Sequence, residues 1–260
     1  MAGDTGDTTE GHYRMNLCQI ITPSKIAGAE RSTMSLCEHL GRAGHRVRIG
    51  CKAGSPVLEA MRSMGLDAHP LAISGKANLL APFRVAAFAR RAEAAVLHSQ
   101  LSTAALHCTG AGRLLGLPTV AHVRALNSAF CYRFATRIIA VSGAVRDHLT
   151  AQGIPAGRVD VVYNGVDPAR YYLPCSREAA RERLGIPADA VLAGVVAHLT
   201  AKKGHAGLVE AFSRIAARQP RLHLLFVGEG EERRRLEAQI EQADLRGRVL
   251  FAGFQSDVLS

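Results

Sequence analysis

The sequence predicts a doubly wound α/β fold in two units, the second of them incomplete. Three observations carry this. From Met15 onward, short apolar runs alternate with segments of helical period. The runs are continuously apolar, as in strands of a parallel sheet covered on both faces. The alternation breaks between Asn164-Gly165 and Pro187 and then restarts.

Leu17 to Thr22 reads as the first strand, followed by a Gly-containing loop and a helix from Ala29 to Ala43 closed by Gly44. Val47 to Cys51 is the second strand, with a helix over Pro56 to Met64. A weaker strand follows at Ala68 to Ile73, then a helix over Leu79 to Ala92. Ala95 to His98, Thr119 to Val123, Ile138 to Val141 and Val159 to Val162 are further strands, with helices between most of them. After a short helix at Arg177 to Leu184, capped by Gly185, the second unit begins. Its strands are Val191 to Ala197, Leu222 to Val227 and Val249 to Ala252, and its helices Ala206 to Arg218 and Glu231 to Ala243. The chain therefore divides into a polar, disordered extension at 1–14, a Rossmann-like domain at 15–165, a linker at 166–187 and a partial Rossmann-like domain at 188–260. So small a second half leaves strand edges and helix seats uncovered, and the chain is expected to be cut short there.

Composition narrows the function. Of 260 residues, 48% are hydrophobic and 21% charged, which suits a folded enzyme and excludes a disordered chain. The net charge of +10 is spread over helices without interleaved aromatics, so a nucleic-acid partner is not expected and an anionic membrane surface is. The six cysteines form no C-x-x-C pair and predict reduced thiols rather than zinc or disulfides. The first residues lack the apolar core of a signal peptide, and no apolar run reaches the roughly 20 residues of a membrane span. A cytoplasmic protein, soluble or peripheral on the inner face of the membrane, is expected.

Candidate site residues cluster after strands. Gly28, in the loop Ser24 to Glu30, lets a phosphate or sugar approach the backbone at a helix N-terminus. His198 and Lys203, after the first strand of the second unit, can face a diphosphate at the carboxyl end of a sheet. Gly228 and Gly230 form a Gly-x-Gly between strand and helix. Each signal alone is weak, since tight turns and solvated basic loops share it. His98 and His122 each end a predicted strand on the rim that holds Gly28, where a histidine can hydrogen-bond a sugar hydroxyl. Arg124 can assist an anionic ligand there. Ser142 is explained by capping the helix Gly143 to Ala151. Gly110 to Gly116 mimics a dinucleotide fingerprint but lies late in a helix, so it reads as small-residue packing and a C-cap.

In order, the strings Ile138-Ile139-Ala140-Val141-Ser142, Val161 to Asp167, Lys203-Gly204-His205, Leu225 to Gly230 and Val249 to Phe254 resemble the retaining glycosyltransferases of family 4, group 1 type. The resemblance runs from Asn16 to Ser260. It implies the GT-B fold: two Rossmann-like domains, acceptor on the first and nucleotide-sugar mainly on the second. By position, it implies that Gly28 approaches the donor diphosphate or sugar, Lys203 neutralises the diphosphate and His122 contacts the transferred sugar. Gly228 and Gly230 would line the nucleotide cleft, with Phe254, Gln255 and Ser256 near the base. His98, Arg124 and Ser142 fall on the acceptor side. His198 stands where the family has arginine, and the family's paired-glutamate segment has no counterpart. The implied reaction transfers a sugar from a nucleoside-diphosphate sugar to a glycan or lipid-linked acceptor in polysaccharide or lipopolysaccharide biosynthesis, with retention and without a metal. A fragment that only binds nucleotide, or a nucleotide-sugar epimerase, are the alternatives.

Overall fold

A computed structural model describes residues 14–23, 25–168 and 175–255. The N-terminal extension, except Arg14, lies outside them, as do part of the linker and Ser256. The chain forms two compact units, Met1–Val166 and Asp167–Ser260.

The first unit holds seven parallel strands: β1 (Asn16–Ile21), β2 (Arg46–Lys52), β3 (Ala68–Leu71), β4 (Val96–Gln100), β5 (Thr119–Val123), β6 (Arg137–Ala140) and β7 (Val159–Val161). Their order is β3-β2-β1-β4-β5-β6-β7. Helices α1 (Gly28–Arg42), α2 (Pro56–Ser63), α3 (Ala81–Arg91), α4 (Leu101–Leu115) and α5 (Gly143–Ala151) make the crossovers. Met34 and Cys37 of α1 and Val57, Leu58 and Met61 of α2 pack with Ile21, Ile49 and Cys51 on one face. Helices α3 and α4 pack on Cys18 and Ile20, and α5 on Ile138 and Ala140, on the other. The chain winds one way through β1 to β3 and the other way from β4, so the topological switch lies between β1 and β4. Ligands of such sheets bind outside the carboxyl ends at that point.

The predicted strands are all present, with shifted ends. The largest change concerns β4, which runs on through His98 to Gln100 because Ser99 and Gln100 continue the ladder with β5. His98 therefore lies inside the strand rather than at its end. Gly110 and Gly112 sit inside α4, where a Cβ would come 2.9 Å from Pro82 Cβ and 2.4 Å from Thr119 Cγ2, so packing requires their small size. Gly116 closes α4 in the left-handed conformation, φ 67°. Of the six cysteines, five are buried, Cys175 is partly exposed, and all six are free thiols.

The second unit begins with α6 (Arg177–Arg183) and builds the sheet order β10-β9-β8 from β8 (Val191–Val196), β9 (Leu222–Val227) and β10 (Val249–Gly253), all parallel. Helices α7 (His205–Ala216) and α8 (Arg233–Gln242) bury Val209, Phe212, Leu236 and Ile240 against Leu224 and Phe226. The opposite face is covered by Ile186 and Ala190 against Leu225. Edge strand β8 leaves Val191 and Val196 exposed. Among the described residues, no helix is long and apolar enough to cross a membrane.

Candidate active site

In the first unit, register brings polar side chains to the switch point. Gln19 is level with His98 between β1 and β4, and Gln100 is level with His122 between β4 and β5. In-register neighbours of a parallel sheet share a face, and residues two apart on a strand do too. Gln19, His98, Gln100 and His122 thus stand on one face, the one that carries α1 and α2 further along the sheet. All four are buried.

A directed hydrogen-bond relay joins them. Arg124, just past β5, donates from Nε and Nη2 to Gln100 Oε1 at 3.2 and 3.1 Å. Gln100 Nε2 donates to Gln19 Oε1 at 3.1 Å, and Gln19 Nε2 donates to His98 Nδ1 at 2.8 Å. Gln100 Nε2 also lies 3.4 Å from His98 Nε2, and since a neutral imidazole accepts at only one nitrogen, the shorter contact favours acceptance at Nδ1 and the proton on Nε2. Arg124 Nη1 also donates to Ser32 Oγ at 2.9 Å and to Asn164 Oδ1 at 2.8 Å, tying α1 and the segment after β7 to the same guanidinium. Arg124, read from sequence as an aid to an anionic ligand, makes these hydrogen bonds within the protein.

The His98 and His122 rings stack at 5.6 Å. Burial, and then the Arg124 charge, lower the His98 pKa to about 4 and that of His122 to about 3. Both are neutral at pH 7. His122 Nδ1 accepts from Arg124 Nη2 at 3.5 Å, while its Nε2 is buried without a partner. With Nδ1 accepting, the proton rests on Nε2, a buried donor with no protein acceptor among the described residues. Burial also lowers the Arg124 pKa, and the nearby Glu30 carboxylate opposes that shift.

Gly28 is the first residue of α1, exposed, with no protein atom within 4 Å of where a Cβ would stand. Packing does not demand glycine there, and its bareness leaves the first turn open to an approaching group. Glu30 closes the turn by accepting from Ala27 N–H at 2.8 Å. Ser142 is an N-cap: its hydroxyl accepts from Val145 N–H at 3.2 Å.

The second unit gathers its candidates at the carboxyl ends of β8, β9 and β10. Ala197 N–H donates to Val227 O, Leu199 N–H to Glu229 O and Glu232 N–H to Leu199 O, which zips the loop after β8 to the loop after β9. Gly228 N–H donates to Gly253 O at 2.8 Å and adds the end of β10. A Cβ on Gly228 (φ 142°) would lie 2.0 Å from Ala197 O. One on Gly230 would lie 2.2 Å from Leu199 O and 2.6 Å from His198 Nδ1. His198, Gly228 and Gly230 are therefore one constellation. Lys203 ends a 3-10 turn whose cap, Gly204 at φ 71°, opens α7; Lys203 is exposed. Phe254, exposed, and Gln255, whose side chain donates to Ala252 O, follow β10.

Sequence reading missed Gln19, Ser32, Gln100 and Asn164 as members of the rim network. The signal available was Gln19, a polar residue inside the apolar run Leu17 to Ile21. It also gave no role to His205, which is buried at the start of α7, edge-on to Phe226 at 5.4 Å, with both ring nitrogens unpartnered. Among the described residues, no group of three or more His, Cys, Asp or Glu is placed to hold a metal ion.

Comparison with known proteins agrees with this architecture. The chain is 33% identical over 98 residues to a 2-deoxystreptamine glucosyltransferase of Streptomyces kanamyceticus, covering 37% of this chain and 25% of that protein. It is 27% identical over 254 residues to a GDP-mannose-dependent alpha-mannosyltransferase of Mycobacterium tuberculosis, covering 86% of this chain and 64% of the relative. The chain thus spans less than two thirds of either relative. The crystal structure of Anabaena Alr3699/HepE in complex with UDP superposes with a TM-score of 0.82 at 23% identity, over 94% of this chain and 70% of that one. The fold is GT-B, with a seven-stranded first sheet and a smaller second one. The model for glycosyl transferases group 1 matches residues 176–260, and that for Glycosyltransferase Family 4 matches residues 26–170, more than half of the chain. The chain belongs to Glycosyltransferase Family 4.

Proposed function

We propose that the protein transfers a sugar from a nucleoside-diphosphate sugar to a hydroxyl of a glycan or lipid-linked acceptor, with retention at the anomeric carbon. The observation that carries this is the zipped pair of loops in the second unit, where Gly228 and Gly230 press bare backbone against the Ala197 and Leu199 carbonyls beside His198. Such a turn presents amides at the end of a sheet, the arrangement that suits a diphosphate. The Anabaena protein, of the same fold, was solved with UDP and with UDP-glucose.

In the reaction, the acceptor oxygen bonds to the anomeric carbon. The bond from that carbon to the phosphate oxygen breaks with its electron pair on the diphosphate, and the hydroxyl proton is released. Negative charge grows on the leaving oxygen. We assign its stabilisation to Lys203, His198 and the turn amides, without a metal ion. The unpaired His122 N–H is assigned to a hydroxyl of the transferred sugar. Five buried free thiols fit a reducing, cytoplasmic site of action. Burial pushes those of Cys18, Cys37 and Cys51 up to about 12, so they stay protonated and inert.

Titration calorimetry with UDP, GDP, ADP and the matching nucleosides tests the donor side. Lys203→Ala should weaken diphosphate binding about tenfold and nucleoside binding hardly at all. Equal losses would remove Lys203 from the phosphates, and no diphosphate binding by the wild type would sink the reading. In turnover assays with nucleotide-sugars, a free epimerised sugar nucleotide as product would replace transfer with epimerisation.

A further inference from the structure

A second surface has a chemistry that the transfer reaction does not use. At the start of α3 and just before it the chain presents Leu79, Leu80 and Phe83 to solvent, at 83, 59 and 59% exposure. Three large apolar side chains so close together are not scattered surface hydrophobics. Their exposure does not come from a loose loop. Arg84 Nη1 donates to Ala72 O at 2.6 Å, Leu80 N–H donates to Asn78 Oδ1 at 3.2 Å, and His107 Nε2 donates to Gly75 O at 2.9 Å. Behind them Ala81, Val85, Phe88 and Ala89 anchor α3 in the core. The backbone is pinned while the apolar side chains face out.

The segment that forms this tip and continues through α3 carries charges of one sign. From Ala72 to Ala92 the chain carries Lys76, Arg84, Arg90 and Arg91 and no acidic residue. Phe83, Ala87 and Arg90 fall at helical spacing on the exposed side of α3. A protein partner matched to such a surface would need an acidic rim around an apolar socket. A bilayer with anionic headgroups offers both, acyl chains at one depth and phosphates just above them. Topology adds a reason for this location. The β3–α3 loop leaves the carboxyl end of its strand, so it lies on the rim of the first sheet that also carries Gly28, His122 and Arg124.

We propose that the β3–α3 loop and the first turn of α3 are a membrane-docking tip. Leu79, Leu80 and Phe83 insert at the acyl boundary of an anionic bilayer, with Lys76, Arg84 and Arg90 on its headgroups. This docking is independent of the transferase reading, because it uses none of the donor-site residues.

Co-sedimentation with vesicles tests it. The wild-type protein should partition onto phosphatidylcholine vesicles containing phosphatidylglycerol, bind pure phosphatidylcholine weakly, and be released by salt. Leu79→Ser with Leu80→Ser and Phe83→Ser should lower the partition coefficient about tenfold or more. Lys76→Glu with Arg90→Glu should do so about tenfold. Leu79→Ser alone alters the most exposed of the three side chains and gives a smaller loss in a protein whose circular dichroism matches wild type. Wild-type-like binding by the triple variant overturns the proposal, as does equal binding to neutral and anionic vesicles. So does a vesicle-free sedimentation experiment in which these residues hold two copies of the chain together. UDP affinity, measured alongside, should not change.

Discussion

The imidazoles of His98 and His122 lie 5.6 Å apart and within 3° of parallel, on neighbouring strands. Both rings are uncharged at neutral pH. Burial and Arg124 hold them so, and a proton on either ring would meet the guanidinium with little water to screen it.

The first prediction concerns acid. Unfolded histidine takes up a proton near pH 6.5, whereas these two wait until about pH 4 and about pH 3. Below pH 6.5 the unfolded chain binds protons that the native one refuses, so the stability is fully present above that pH. It is lost as pH falls towards 4 and then 3, by at most about 1.4 kcal/mol per pH unit for each ring. Urea midpoints of the wild type should fall over this window, and His98→Gln should flatten the slope. An unchanged slope would mean that the ring is not held neutral.

Arg124 should matter for stability more than for ligand. Arg124→Met leaves Gln100 Oε1 and Ser32 Oγ without the donor they share, and Asn164 Oδ1 with the Ser32 hydroxyl alone, and should cost about 2–3 kcal/mol in urea unfolding. Arg124→Lys should recover only part, because an ammonium cannot fork to oxygens on three elements. Nucleotide affinity should stay unchanged in both.

Two glycine changes in the second unit should move in opposite directions. Gly230→Ala drives a methyl into Leu199 O and the His198 ring and should cost about 2 kcal/mol or more, with loss of UDP binding. Gly207, inside α7 with nothing within 4 Å, should gain up to about 1 kcal/mol on substitution by alanine. Calorimetric unfolding reads both.

Ser142→Ala should cost about 1 kcal/mol through the lost cap on Val145 N–H and leave turnover per folded molecule intact. A specific loss of transfer would return Ser142 to the acceptor site.

The strands were legible because burial on both faces writes a continuous apolar run, and the crossovers because α1, α3 and α7 keep one apolar stripe. The end of β4 was not. His98, Ser99 and Gln100 are polar, and a polar run in sequence reads as loop even where the ladder continues. The glycine constellation was legible only as candidates, since a tight turn also uses Gly-x-Gly after a strand, and its reason was not legible at all. Only the approach of Gly228 to Ala197 O, across two strands, shows why a side chain is excluded. The rim network was illegible for the same cause. Arg124 meets Ser32 across 92 positions and Asn164 across 40, and no local pattern encodes such partners.

Those separations set an order of assembly. Arg124 finds its full set of acceptors only when α1 is docked and the chain beyond β7 has arrived, contacts that close long loops and form late. On a ribosome, the first hundred or so residues can pair β1 to β4 while the guanidinium that will lock their rim is still unmade. The polar rim is the keystone of the first unit, set after the arch that it closes.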